Sequence, residues 1–247
     1  MKKIPEITLL FWIMKICATT LGETAGDLLS MTMGVGYAVS SMILISIFLI
    51  TLIIQLMSKK YNPIIYWLVI LSTSTAGTTM SDYMDRTLGL GYATGSVILI
   101  TILLVIFALW RMSEKSLSVT NITTFKGEMF YWAAILFSNT LGTAFGDFLA
   151  DDSGLGFGGG AILIGSLLVV VILAKYLTKI STVLLFWIAF VLTRPFGATF
   201  GDLLTKSTEK GGLNFGTAGS SLILFSILII LIIYTLFNKT RLQKERT

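Results

Sequence analysis

The segment FWIMKICATTLGETAGD, residues 11–27, recurs as YWLVILSTSTAGTTMSD at 66–82, as YWAAILFSNTLGTAFGD at 131–147 and as FWIAFVLTRPFGATFGD at 186–202. In every copy a tryptophan (Trp12, Trp67, Trp132, Trp187) is followed ten residues on by a glycine (Gly22, Gly77, Gly142, Gly197). Five residues further comes an aspartate (Asp27, Asp82, Asp147, Asp202). Spacing this regular marks one duplicated unit. Each copy is apolar enough to sit in a bilayer and still carries a carboxylate, which costs about 2.5–3.5 kcal/mol at the centre of a spanning helix. A cost repeated in all four copies calls for a function that needs it.

Composition places the chain in the same class. It is 55% hydrophobic and 13% charged, with no histidine and three prolines. Apolar runs at Ile7–Met31, Ala38–Met57, Pro63–Met84, Gly95–Met112, Phe130–Ala150, Ala161–Leu177, Thr182–Leu204 and Gly219–Phe237 each approach the roughly 20 residues a spanning helix needs. The predicted fold is all-α and integral to the membrane, with eight transmembrane helices arranged as four parallel helical-hairpin repeats. Strand alternation is absent, which disfavours a β-barrel. The repeats are expected at 1–61, 62–116, 129–180 and 181–238, with a linker at 117–128 and a basic tail at 239–247.

The net charge of +5 is distributed by topology. Lys2, Lys3, Lys59, Lys60, Arg111, Lys115, Lys126, Lys175, Lys179, Lys239, Arg241, Lys244 and Arg246 fall on the face that holds both termini, against Arg86, Lys206 and Lys210 on the other. The positive-inside rule therefore puts both termini in the cytoplasm of a bacterial inner-membrane protein, with the bilayer and not nucleic acid as partner. The tryptophans read as an interfacial aromatic belt, and Lys15 as a residue snorkelling to the cytoplasmic surface. Cys17, the only cysteine, forms no internal disulfide or thiolate metal site.

Helical geometry selects the functional candidates. Each aspartate is preceded by small residues five and one positions earlier, Gly22 and Gly26, Gly77 and Ser81, Gly142 and Gly146, Gly197 and Gly201, the pattern that lets helix backbones approach closely. At about 100° per residue, positions three, four and seven before the aspartate share its face. That face reads Thr20, Glu23, Thr24; Thr75, Thr78, Thr79; Thr140, Thr143, Ala144; and Pro195, Ala198, Thr199. With Glu23, the four aspartates and the deep Arg194, these hydroxyls predict a polar pathway lined by the odd helices, with Asp27, Asp82, Asp147, Asp202 and Glu23 as the metal-ligating set. Oxygen-only donors suit a hard cation, Mn²⁺, Mg²⁺, Na⁺ or H⁺, over Zn²⁺ or Cu⁺. No nucleotide motif is present, so active efflux needs an ion gradient, and no cofactor or enzymatic activity is expected. Two alternatives stand beside transport. One is a purely structural role, in which the threonines bond back to their helices and Glu23 bridges to Arg194. The other is a pseudo-fourfold cation channel using the loop strings Gly34 to Gly36, Gly89 to Gly91, Gly154 to Gly156 and Gly212 to Asn214. Helix-capping turns are the simpler account of these glycines.

Phe11-Trp12 with Thr19–Thr24, Tyr131-Trp132 with Leu141–Ala144, and Leu192–Gly197 together resemble a bacterial membrane family built from four tandem two-helix repeats of unknown function. The resemblance runs from Ile4 to Phe237. It implies topology and no activity.

Overall fold

The computed structural model describes residues 3–244. Lys2 and Arg246, counted above among the basic residues, and the end of the 239–247 tail lie outside it. Eight α-helices are present and no strand occurs among the described residues: α1 Leu9–Asp27, α2 Tyr37–Met57, α3 Pro63–Asp82, α4 Tyr92–Glu114, α5 Phe125–Asp147, α6 Gly156–Leu177, α7 Thr182–Thr205 and α8 Thr217–Lys244. Their starts follow from local chemistry. Thr8 Oγ1 accepts from Phe11 N, Asn62 Oδ1 accepts from Ile64 N with Pro63 opening α3, and Thr124 Oγ1 accepts from Gly127 N. Each side chain satisfies one of the amides that a helix leaves free at its start.

Five helices, α2, α4, α6, α7 and α8, are long and apolar enough to cross a membrane. The protein is a helical membrane protein. Helices α1, α3 and α5 fall short on hydropathy because their faces carry the hydroxyls, amides and acids noted above.

The odd helices form a closed inner ring in the order α1, α3, α5, α7, with α7 returning to α1. The even helices lie outside, and their pairing departs from simple hairpins. Helix α2 packs on α3, α4 on α5, α6 on α7, and α8 closes the circle on α1. Each even helix thus staples its own repeat to the next one. The small residues make the ring tight: a Cβ at Gly22 would strike Ser74, at Gly77 Asn139 and Thr140, at Gly142 Arg194, and at Gly197 Thr19. Backbone-to-side-chain contact of this closeness is available only to glycine.

Two expectations are corrected here. The tryptophans do not form an interfacial belt: Trp67, Trp110, Trp132 and Trp187 are buried and Trp12 is half-buried. The aromatic preceding each repeat tryptophan packs on the tryptophan of the next repeat, Phe11 on Trp67, Tyr66 on Trp132, Tyr131 on Trp187 and Phe186 on Trp12, at ring-centroid distances of 5.7, 5.7, 6.2 and 5.7 Å. Tyr66 and Tyr131 hydroxyls join at 2.7 Å. The result is an aromatic plug across the end of the bundle that holds the termini. Lys15 does not snorkel either. It is fully buried, its ammonium 4.1 Å from the centroid of the Phe190 ring and 3.4 Å from Asn139 Oδ1. Both errors share a cause: the even helices shield the odd ones, so a residue near the end of an odd helix faces protein instead of headgroups.

Candidate ion site

Residues at fixed offsets from the four aspartates mark equivalent levels of the bundle; those at and before the aspartates are buried, whereas Met31, Arg86 and Asp151 beyond them are exposed. Eight residues before the aspartates lie Thr19, Ser74, Asn139 and Arg194; four before lie Glu23, Thr78, Thr143 and Ala198; four after lie Met31, Arg86, Asp151 and Lys206. Repeat symmetry sets the positions, and divergence of the residues at them sets the chemistry.

Arg194 occupies the middle. Its Nη1 lies 3.0 Å from Glu23 Oε2 and 3.1 Å from Thr19 O. Its Nη2 donates to Ser74 O at 3.2 Å, to Thr143 Oγ1 at 2.8 Å and to Thr78 Oγ1. Thr78 and Thr143 each donate to Glu23 Oε2 at 3.2 Å. One guanidinium on α7 therefore ties down α1, α3 and α5, a use suited to its rigid fork of donors. Pro195 follows it inside α7 without ending the helix.

The four aspartates come together as two bridged pairs. Arg86 Nε meets Asp82 Oδ1 at 2.9 Å and its Nη2 meets Asp147 Oδ2 at 3.1 Å. Lys206 Nζ meets Asp202 Oδ1 at 3.0 Å and also bridges to Asp27 Oδ2. Burial works against both cations, but the facing carboxylates outweigh it and hold Arg86 and Lys206 above their ordinary ranges. The two bridges are equivalent by symmetry, each cation sitting four residues after its own aspartate and reaching the aspartate of the next repeat. In the sequence Arg86 and Lys206 stand out only as basic residues of the loops. Their spacing from Asp82 and Asp202 was the signal that would have found them.

Glu23, Asp147 and Asp202 each offer a carboxylate oxygen within 4.8 Å of the other two, and all three are buried. The central network contains five carboxylates (Glu23, Asp27, Asp82, Asp147, Asp202) against three cations in contact with them (Arg86, Arg194, Lys206). With every one of these groups ionised, the carboxylates would outnumber the cations they touch by two.

The threonine stripe divides. Thr78 and Thr143 reach the axis, whereas Thr20, Thr75, Thr140 and Thr199 donate back to carbonyls of their own helices three or four residues earlier. Thr79 donates to Ala76 O, and Thr24 donates to Leu21 O and accepts from Ser221 of α8 at 2.8 Å. The loop glycines lie at exposed turns. Gly34, Gly36, Gly89, Gly91, Gly154 and Gly156 all have positive φ, and no atom stands within 4 Å of the Cβ each lacks. Between aspartate and glycine each of the first three repeats runs through a five-residue π-helical turn, at Leu28–Thr32, Tyr83–Thr87 and Phe148–Asp152. Such turns re-aim side chains that follow a helix. In the fourth repeat the equivalents of the two glycines are Asn214 (φ 57°) and Gly216 (φ 73°). The expected match through Gly212 is shifted, because Gly212 instead belongs to the inserted turn and presses on the Lys206 backbone.

No curated protein and no solved structure matches this chain. The family described as Repeat of Unknown Function (DUF347) matches at residues 10–61, 65–116, 130–181 and 185–240. Four consecutive matches, each spanning one odd and one even helix, show that the chain belongs to the DUF347 family of tandem repeats.

Proposed function

We propose that this protein moves a hard cation across the bacterial inner membrane, with eight spanning helices and both termini in the cytoplasm, and that Glu23, Asp147 and Asp202 hold the ion. The observation that carries this reading is the charge excess. Buried carboxylates that share too few cations are unfavourable, and a formal surplus of two carboxylates beside a three-oxygen cluster matches one divalent ion or two protons. Oxygen donors of this kind favour Mg²⁺ or Mn²⁺ among divalent ions. Exchange of one such ion for protons at the same carboxylates supplies gradient coupling without a nucleotide.

The closed state has a barrier on each side of the cluster. The aromatic plug faces the cytoplasm, and the two bridges face outward. Arg86 ties α3 to α5, and Lys206 ties α7 to α1. The seams between α1 and α3 and between α5 and α7 carry no such bridge at this level among the described residues. Opening follows these unbridged seams, so the moving bodies pair repeat 2 with repeat 3 and repeat 4 with repeat 1. Arg194, which spans the seams, is the contact that must rearrange when an ion enters.

The test is flux of Mn²⁺, Mg²⁺ and Na⁺ in proteoliposomes under an imposed pH gradient. Wild type moves at least one of these ions. Asp147→Asn and Asp202→Asn, which keep size and much of the hydrogen bonding, lose flux while retaining a monodisperse fold. No flux in wild type, or unchanged flux in both variants, defeats the proposal.

A further inference from the structure

Lys15 has no place in the carboxylate network, yet its side chain runs through the middle of the ring. In the order α1, α3, α5, α7 the first and third helices stand opposite each other. Lys15 Nζ on α1 nevertheless lies 3.4 Å from Asn139 Oδ1 on α5, and 4.1 Å from the ring centroid of Phe190 on α7. Asn139 Nδ2 in turn donates to Thr73 Oγ1 on α3 at 2.9 Å. All four odd helices therefore meet around one amine.

Its level is fixed from both sides. Phe190 packs at 5.6 Å on both Phe186 and Trp187 of the aromatic plug. Asn139 shares the level of Arg194, eight residues before the aspartate of its own repeat, and Lys15 stands eight residues before Glu23, just over two turns. Lys15 thus lies between the plug and the Arg194–Glu23 pair, on the way from the termini to the carboxylates.

The side chain is fully buried and forms no ion pair among the described residues. Lysine is almost never buried whole unless paired, and an ionisable side chain inside a membrane bundle marks an ion or proton path. The surroundings serve both protonation states: the face of Phe190 holds an ammonium, while Asn139 Oδ1 accepts an N–H from ammonium and amine alike. Arg194 of α7 is the charged group that bears on Lys15, and no titratable side chain of α3, α5 or α8 does so among the described residues. An ion entering the carboxylate cluster adds a third like charge to this interior. Arginine keeps its proton, so of the three only Lys15 can be discharged.

We propose, on the transport reading above, that Lys15 carries a proton of the exchange beyond those on the carboxylates. As the cation settles among Glu23, Asp147 and Asp202 and Arg194 leaves Glu23, one N–H bond of the Lys15 ammonium breaks. The electron pair stays on nitrogen and the proton passes to water on the cytoplasmic side. When the ion departs, a proton returns to Nζ and Arg194 returns to Glu23. The coupling is reciprocal, so a proton on Lys15 weakens ion binding as much as the ion weakens the hold on the proton.

The test uses the full-length protein in proteoliposomes with Mn²⁺ as the probe, replaced by Mg²⁺ or Na⁺ where the flux assay selects one of those. Wild type is expected to accumulate the ion under a pH gradient and to exchange it for radiolabelled ion without one. Lys15→Met, which cannot hold the proton, is expected to lose pH-driven accumulation to the level of protein-free vesicles and to keep ion-for-ion exchange. Lys15→Arg, which cannot release the proton, is expected to lose both. Nitrogen NMR of lysine-labelled wild type reads the titration directly should either variant fail to fold, Lys15 being the signal that a water-soluble relaxation agent does not broaden. That signal is expected to change protonation state within the pH range in which the protein stays folded. A Lys15 signal that keeps one form across that range overturns this inference and leaves the transport reading standing. So does a folded Lys15→Met that keeps wild-type coupling, or one that loses exchange together with accumulation, as a merely structural lysine would. Failure of wild type to move any of the three ions defeats the transport reading and this inference with it.

Discussion

Replacing Arg194 with methionine probes the centre of the structure most directly. Arg194 is wholly buried and donates to groups on three other helices, Thr19 and Glu23 on α1, Ser74 and Thr78 on α3, and Thr143 on α5. Methionine keeps most of the side-chain volume, so little of the effect comes from a cavity. What is lost is the partner of a buried carboxylate, Glu23, for which the cost is about 3–5 kcal/mol. The backbone carbonyls of Thr19 and Ser74 add little, since they keep places in their own helices. Arg194→Lys retains the charge but cannot donate to so many groups in a fixed plane, and falls between wild type and Arg194→Met. In the double variant Glu23→Gln, Arg194→Met, the amide keeps an acceptor for Thr78 and Thr143 and no charge is stranded. Its stability is expected within about 2 kcal/mol of wild type, well above the single variant. Reversible unfolding in mixed micelles with increasing dodecyl sulfate measures all four proteins. A loss below about 1 kcal/mol in Arg194→Met, or a double variant no more stable than the single, refutes the argument that Glu23 is an ionised carboxylate held by this arginine.

The remaining predictions test other levels of the same structure. Gly142→Ala places a Cβ into Arg194 and must part α5 from α7, costing about 1–3 kcal/mol in the same micelle assay. Gly34→Ala meets no neighbour but must hold a φ of +70°, costing about 1–2 kcal/mol for a purely backbone reason; a loss for Gly34→Ala alone would show that the ring is not tightly packed. Lys206→Met releases Asp27 and Asp202 and loosens the outer end. In a Cys17→Ser background, a cysteine at the buried Thr24 should then react with an impermeant thiol reagent many times faster than with Lys206 present, and an unchanged rate argues against the bridge as a barrier. Reporter fusions at Met1 and Thr247 should both read cytoplasm, and a cysteine at Ser153 should be labelled from outside; a periplasmic C-terminus removes the basis for eight spans.

Much of this protein was legible in the linear chain. Four copies of one spacing established the repeat. The hydropathy of the copies established the membrane class, and two helices per copy gave the expectation that all copies run in one direction. A face of hydroxyls and acids is too costly for lipid, so the odd helices had to be inside, and glycines at fixed offsets showed where they meet. The possible bridge between Glu23 and Arg194 also followed, since two opposite charges at similar depth in an apolar protein seek each other. Local spacing contains these facts because they depend on one helix at a time. What crosses between repeats does not. Arg86 reaching Asp147, Lys206 reaching Asp27, each aromatic resting on the next repeat's tryptophan, and each even helix docking on the following odd helix all depend on the order and closeness of the ring, which the chain does not write as a pattern. The same holds for side chains whose neighbours decide their role. Lys15 had a reach that served the surface as well as the core, and the hydroxyls of Thr20, Thr75, Thr140 and Thr199 had a helix carbonyl always within range. Only packing chose between those options, by burying the first among aromatics and turning the others away from the axis that Thr78 and Thr143 share with Arg194.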